Sequence, residues 1–374
     1  MIDRRTLLLS AASLGFSAGI ARAQTRTTTT VTETRTVTIG PPIPLTPPPP
    51  VPPPRPIHID TENVLLWPSM PPSGGGPLST AHADAHGAVS DVSVPTLTVY
   101  HPPNPNGTVV IIAAGGGYRR IEIGLEARPV AMWLAAQGIT ACVLTYRLPP
   151  EDWGCGIFAP FQDAQRAVRL VRGTNIGVAK PPVASSVSQG AAVHGGASQG
   201  NPSRGMASPA AARPVTGPKR VGVMGFSAGG HLMGMASAQW ATDLYPPQDG
   251  LDTITARPDF AALIYPIITL RPPYNDTETR RILLGDHPTA EESAGWSVEP
   301  HVKDDCPPVF LVHAADDKVA PPENSVIMAA ACRRVAVPVE RLLLPSGGHA
   351  FGLGHPGTPS ATWPAQFLAW QAKA

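Results

Sequence analysis

From about residue 95 onward, short apolar blocks alternate with longer segments of helical periodicity. Pro95–Tyr100, Thr108–Ala113, Ile139–Tyr146, Arg220–Met224, Phe260–Ile268, Pro308–His313 and Val339–Leu344 read as strands. Several are unbroken runs of Val, Ile, Leu or Phe with no polar face, as expected of strands covered on both sides. Between them Pro129–Gln137, Phe161–Arg172, Ala228–Trp240, Glu323–Val335 and Ala361–Lys373 read as helices. In Phe161–Arg172 the apolar positions Ala164, Ala167, Val168 and Val171 fall on one face. This alternation predicts an α/β fold, a mostly parallel central sheet with helices on both faces.

Two regions depart from the rhythm. Residues 181–218 are Ala, Ser, Gly and Pro without periodicity. They carry almost none of the apolar anchors a lid would need, so a disordered insertion is expected. Residues 24–58 run from a threonine-rich stretch into PPIPLTPPPPVPPPRP, an expected extended spacer. Ahead of it, residues 1–23 combine Arg4-Arg5, a short apolar stretch and Ala21-Arg22-Ala23. A charged start, a brief apolar middle and an A-x-A end describe a cleavable export signal, and the paired arginines resemble a twin-arginine signal. The apolar stretch falls short of the ~20 residues that span a bilayer. The expected organisation is signal 1–23, linker 24–58 and a single catalytic domain 59–374, with a periplasmic or secreted product.

Composition narrows the function. Lys and Arg total 28 against 27 Asp and Glu, a net charge of +1, so no basic face for nucleic acid is implied. The 46 prolines fit the extended spacer. Cys142, Cys155, Cys306 and Cys332 form no C-x-x-C pair and no zinc spacing. One or two disulfides are open to them after export, with no connectivity implied; Cys142, in an apolar run, reads as a buried thiol. His82, Asp84 and His86 have metal-ligand chemistry, but no third site stands near them, and metal binding is not expected there.

The motif G-x-S-x-G sets a serine on a sharp strand-to-helix turn. It occurs three times. Gly15–Gly19 lies in the signal, and Gly196–Gly200 lies in the insertion with neither strand nor helix beside it. Gly225–Gly229 follows RVGVM and leads into AGGHLMGMASAQW. Ser227 is therefore the candidate nucleophile, and Ala228 offers a backbone N–H to an oxyanion. A histidine must follow late in the chain, and His349, just after the strand VERLLLP, suits better than His355 in a loop. The acid belongs after the strand Pro308–His313, where Asp316 and Asp317 both qualify; His313 reads as a satisfied strand-end histidine. In IIAAGGGY, Gly116 and Gly117 can turn N–H groups toward an oxyanion. Tyr118 next to them is expected to narrow an acyl pocket.

Taken in order, AAGGGYRRIEIGLEARPVAMWLAAQGITACVLTYRLP, DAQRAVRLVR, VGVMGFSAGGHL, PPVFLVHAADDKVAPPENS and GGHAFGLG resemble bacterial carbohydrate esterases of the α/β-hydrolase superfamily, the acetyl xylan esterase-like proteins. The resemblance covers about residues 65–374 apart from the insertion. It implies an α/β-hydrolase fold, no metal or organic cofactor, and Asp317 as the acid, four residues after the strand-end histidine in H-x-x-x-D-x-V-x-P. The insertion departs from the family's pattern, as does Ala113-Ala114, where relatives commonly carry Cys-Pro or His. The expected function is a serine ester hydrolase acting through an acyl-enzyme on short acyl esters of carbohydrates. Its expected partner is that substrate, with neither nucleic acid nor a stable membrane span. Competing readings are a serine peptidase of the same fold, for which no cap or propeller domain is seen, and a non-catalytic wall-associated binding protein. A glycosidase is disfavoured because no carboxylate pair stands out.

Overall fold

A computed structural model describes residues 58–178 and 217–374, all within one compact unit, Pro56–Ala374. The export signal, most of the spacer, the first two G-x-S-x-G matches and nearly all of the insertion lie outside these residues. The chain forms β1 (Asp60–Leu65), β2 (His82–Ala83), β3 (Val89–Ser90), β4 (Thr96–His101) and β5 (Thr108–Ala113). It continues through α1 (Arg128–Ala136), β6 (Thr140–Thr145), α2 (Ala159–Arg172), β7 (Arg220–Phe226), α3 (Ala228–Ala238) and β8 (Phe260–Ile264). The closing elements are α4 (Glu278–Leu284), α5 (Ala290–Gly295), β9 (Val309–Ala314), α6 (Glu323–Arg334), β10 (Val339–Leu344) and α7 (Trp363–Gln371).

Eight strands make one sheet in the order β1-β4-β6-β5-β7-β8-β9-β10. β4 is antiparallel to β1 and β6, and the strands from β6 to β10 run parallel. Every residue of β5, β8 and β9 is buried, the outcome their unbroken apolar runs predict for a doubly covered sheet. Phe260–Ile268 is the strand the sequence overextends. β8 stops at Ile264 because Tyr265 takes a positive φ of 38° and Pro266 has no N–H for a ladder. The elements absent from the apolar pattern are small or exposed: β1 is a polar edge strand, while α4 and α5 are short helices capped by Thr277 and Thr289.

α2 is buried around nearly its whole circumference, polar face included. Arg166 donates to Asp249 and Asp252 in the segment after α3. Arg147, just beyond β6, is fully buried with Asp163 of α2 at 2.9 Å, and Trp67 Nε1 donates to the same carboxylate at 2.8 Å. The guanidinium also lies over the rings of Trp67 and Trp153. The LTYRLP and DAQRAVRLVR motifs thus meet in one buried ion pair joining sheet, helix and the segment before β4. Each of the four cysteines is a free thiol, so the disulfides left open by the sequence are not formed. Asp84 accepts the backbone N–H groups of His86 and Ala88. It shapes an exposed turn, and no metal-binding cluster occurs among the described residues. None of the described helices is long and apolar enough to cross a membrane.

Two outcomes follow from this packing. Asp163→Ala leaves the Arg147 guanidinium buried without its counter-ion and should cost about 3–5 kcal/mol, read as a lower urea midpoint at unchanged slope. The described ends of the insertion also converge, since a Cβ on Gly177 would lie 3.7 Å from Pro218. A short Gly/Ser link in place of residues 181–216 should therefore keep the melting temperature within a few degrees of the parent; a large fall would show that the segment packs on the domain.

Candidate active site

Parallel strands gather whatever follows their carboxyl ends along one edge of the sheet, where open α/β sheets place their sites. Gly115–Gly117 follow β5, Ser227 follows β7, Asp316 and Asp317 follow β9, and His349 follows β10. Three of these side chains are linked. Ser227 Oγ lies 2.8 Å from His349 Nε2, and His349 Nδ1 lies 2.7 Å from Asp317 Oδ2. A carboxylate only accepts, so Nδ1 carries the imidazole proton and Nε2 is free to accept from the serine.

The backbone at Ser227 has φ 52° and ψ −117°, a conformation that side chains avoid. Two contacts with the adjoining chain hold it there. The Ser227 N–H donates to Ile264 O, and its carbonyl accepts from Ile267 N–H, both at 3.1 Å. Gly229 must be glycine, because a Cβ there would strike the backbone carbonyls of Ala113 and Ala114. Ala228 opens α3, so its N–H points out of the helix start beside the serine.

The adjacent aspartates have different tasks. Asp317 turns toward His349, and its other oxygen accepts the Val319 and Ala320 N–H groups at 2.9 Å each. Asp316 accepts from Gly347 and Gly348 N–H at 2.9 and 2.8 Å and so shapes the turn that presents His349. Burial favours the neutral form of Asp317, but hydrogen bonds from His313 and His349, with the Ala320 N–H, hold its carboxyl down to about 2. His313 is buried and donates from Nε2 to Ala320 O at 2.8 Å, with Asp317 Oδ2 at 3.3 Å, so it supports the acid loop. His355 is exposed and joins none of these groups.

On the β5 side Gly115 lies against Ser227: a Cβ on it would be 2.8 Å from Ser227 Cβ. Its N–H is taken by Glu126 Oε2 at 2.5 Å. Gly116 and Gly117 have φ values of 114° and 65°, and neither N–H has an acceptor among the described residues. Together with Ala228 they are the donors open to a developing negative charge. Tyr118 does not narrow an acyl pocket, as the sequence suggested. It is fully buried beneath the loop, its hydroxyl 2.9 Å from His231 Nδ1, while His231 Nε2 lies 2.7 Å from the Trp296 carbonyl. Since that carbonyl accepts the Nε2 proton, the tyrosine hydroxyl donates to Nδ1. Burial keeps His231 neutral, down at about 4. An apolar cavity lined by Phe158, Phe161, Met235 and Trp296 borders α2 and α3, but no residue of the Ser227 cluster lines it.

Two neighbours of the site escaped the sequence reading: Glu126, buried in a π-helical turn (Ile123–Ala127) before α1, and Tyr265, whose hydroxyl meets it at 3.0 Å. Nothing in RRIEIGLEAR separates Glu126 from Glu122 as a surface charge; only the tertiary fold buries one of them.

A family model described as BD-FAE matches residues 210–332. Endo-1,4-beta-xylanase B of Butyrivibrio fibrisolvens is 30% identical over 257 residues, covering 68% of this chain and 34% of that protein. Acetylxylan esterase of Xylanibacter ruminicola is 26% identical over 286 residues, covering 71% of this chain and 45% of that protein. The chain thus spans less than half the length of these two curated relatives. Among solved structures, the acetyl ester-xyloside bifunctional hydrolase from Caldicellulosiruptor lactoaceticus superposes with a TM-score of 0.60 at 28% identity, covering 83% of this chain and 95% of that one. By its sheet, by the loops that sheet brings together and by these likenesses, the chain has the α/β-hydrolase fold and is similar to an acetylxylan esterase and an acetyl ester-xyloside hydrolase.

Proposed function

We propose that the chain is an exported serine carboxylic-ester hydrolase that removes short acyl groups, acetyl foremost, from carbohydrates through an acyl-enzyme. The observation that carries this reading is the hydrogen-bonded series Ser227–His349–Asp317 on a strained turn, beside N–H groups that have no acceptor among the described residues. His349 Nε2 takes the Ser227 proton as Oγ attacks the ester carbonyl; the carbonyl oxygen becomes anionic and accepts from Gly116, Gly117 and Ala228. Each such donor contributes about 2.7–4 kcal/mol to the transition state. The imidazolium then protonates the departing alcohol, and a water activated by the same nitrogen releases the acid. Asp317 keeps the proton on Nδ1 and stabilises the imidazolium. This chemistry uses side chains and backbone alone, consistent with a site that takes no cofactor.

The acetyl preference and the carbohydrate substrate class rest on the names of the similar proteins, and a carbohydrate polymer as substrate agrees with the export reading of Arg4-Arg5 and Ala21-Arg22-Ala23. In this proposal residues 1–23 are the signal, 24–58 the linker and 59–374 the catalytic domain. A fluorophosphonate probe tests the core of the reading: the wild type should be labelled and Ser227→Ala should not, and an unlabelled wild type would exclude a live serine nucleophile. Acetyl esters should outrun octanoyl esters in kcat/KM, whereas equal or faster turnover of long chains would point to a lipase-like enzyme.

The aspartate pair gives a sharper test. In Asp317→Asn the amide oxygen stays with the Val319 and Ala320 N–H groups, which turns the NH2 toward His349 Nδ1. The imidazole proton must then move to Nε2, where it blocks proton transfer from Ser227. A loss of roughly 10³ to 10⁴ in kcat is expected. Asp316→Asn keeps a carbonyl oxygen for Gly347 and Gly348 and should lose about tenfold or less. With folding checked by circular dichroism, the reverse ranking would shift the acid by one residue.

A further inference from the structure

Behind the Ser227 cluster, one buried carboxylate joins two loops that come from different strands. Glu126 is 2% exposed. Its Oε2 accepts the Gly115 N–H at 2.5 Å, and its Oε1 lies 3.0 Å from the Tyr265 hydroxyl. That hydroxyl accepts the Gly352 N–H at 3.1 Å, so its single proton is directed to Glu126. The Tyr265 ring packs edge-on against His349, with centroids 4.9 Å apart, and against Phe351 at 4.4 Å. Tyr265 itself is fixed through its N–H to Val312 O at 2.7 Å, in the positive-φ conformation that ends β8.

We infer that Glu126 is a positioning residue for ester hydrolysis: its carboxylate, through Gly115 on one side and Tyr265–Gly352 on the other, sets the oxyanion loop and the His349 loop in mutual register. This rests on the ester-hydrolase reading. The task requires a group that accepts twice and donates nothing. An ionised carboxylate meets that need; an amide or a protonated carboxyl brings a hydrogen toward the Tyr265 hydroxyl, whose own proton must then turn away from the link between the loops. Gly115 carries the consequence directly, because it touches Ser227 and leads into Gly116 and Gly117.

Ionisation of Glu126 is therefore part of its role. The titratable groups facing it are Tyr265 from the end of β8, His349 from the loop after β10, Tyr146 from the end of β6 and Glu122 from its own turn. Burial, reinforced by Glu122, raises its carboxyl to about 7, against the opposing pull of the Gly115 N–H, the Tyr265 hydroxyl and His349. As pH falls through about 7, Glu126 takes up a proton and the two loops lose their shared acceptor.

The test is the pH dependence of p-nitrophenyl acetate hydrolysis by the full chain and two variants, each checked for folding by circular dichroism and thermal melting. In the wild type, the acid limb of kcat/KM should be steeper than one proton, since His349 must be neutral and Glu126 ionised. Glu126→Gln should lower kcat at pH 8 by roughly tenfold to a hundredfold, less than outright loss of an oxyanion donor. Its KM should stay within about twofold, because the substrate's ground-state contacts are untouched, and its acid limb should fall to one proton. Tyr265→Phe keeps the carboxylate but removes a donor that favours its charge, so the acid limb should move to higher pH. If Glu126→Gln does not fold, Tyr265→Phe decides: an unmoved limb, or one moved to lower pH, overturns the inference. So does a folded Glu126→Gln with wild-type kcat at pH 8. In those cases an active wild type leaves the ester-hydrolase reading standing, whereas a wild type with neither ester turnover nor serine labelling removes both.

Discussion

The backbone of Ser227 is the constraint on which the site depends. A residue with a side chain at φ 52° costs on the order of 1–3 kcal/mol, and the surroundings must over-determine it. They do so from two directions. The exit of β8 clamps the serine's N–H and carbonyl, and glycines remove every Cβ that would push the turn open. At Gly225 a Cβ would run into the Gly229 backbone, and at Gly115 into Ser227 itself. The same compression that strains the serine aims its hydroxyl outward, starts α3 immediately behind it and brings the β5 loop alongside. Exposure of the serine hydroxyl and the supply of N–H groups beside it are one geometric fact.

Two buried carboxylates stand near His349, and the number of donors each receives separates them. Asp317 has two backbone N–H groups and two histidines and is held down to about 2. Glu126 has one backbone N–H and one hydroxyl, too few to offset burial, and rises to about 7. The linkage signs are opposite. A depressed acid stabilises the fold above its unfolded value, and Asp317 loses that contribution only as pH falls from about 3.8 toward about 2. A raised acid is stabilised in its protonated form, so the fold loses stability from Glu126 as pH climbs from about 4.5 to about 7. The alkaline side, where the proposed mechanism needs a neutral His349, is thus where this second carboxylate weighs against the fold.

What was legible in the sequence follows the range of the interactions. TVVIIA, FAALI and VFLVHA announce buried strands because each residue's environment is set by the sheet alone. Ser227 and His349 were legible because a local turn at a strand end carries its own signature. Asp317 was singled out from Asp316 only by the H-x-x-x-D spacing of the family the chain resembles; local pattern leaves the pair alike, because they differ in what each one meets after β10, the His349 ring or the Gly347–Gly348 backbone. Glu126, Tyr265 and the burial of Tyr118 were hidden for the same reason. Their partners lie 11 to 139 positions away, and no periodicity encodes such distances. The polar face of α2 misleads in the same way: Arg166, Gln162 and Gln165 look solvated until the segment after α3 folds over them.

One device recurs around the site: a side chain on one loop accepts backbone N–H groups, most often from another. Asp316 takes Gly347 and Gly348, Tyr265 takes Gly352, Glu126 takes Gly115, and Asp317 takes Val319 and Ala320 within its own loop. The donors that face acceptors from other loops are all glycines, residues whose backbone no side chain pre-orients, so the acceptors supply the order that local sterics do not. Such bonds are individually worth about 1 kcal/mol, more where the acceptor is charged, but each also settles where the next loop sits. With all four thiols free and no metal cluster among the described residues, the register of these loops rests on this polar scaffold. Precision at Ser227 is distributed over residues that never approach the substrate, and that is why changes behind the site are expected to act on turnover more than on binding.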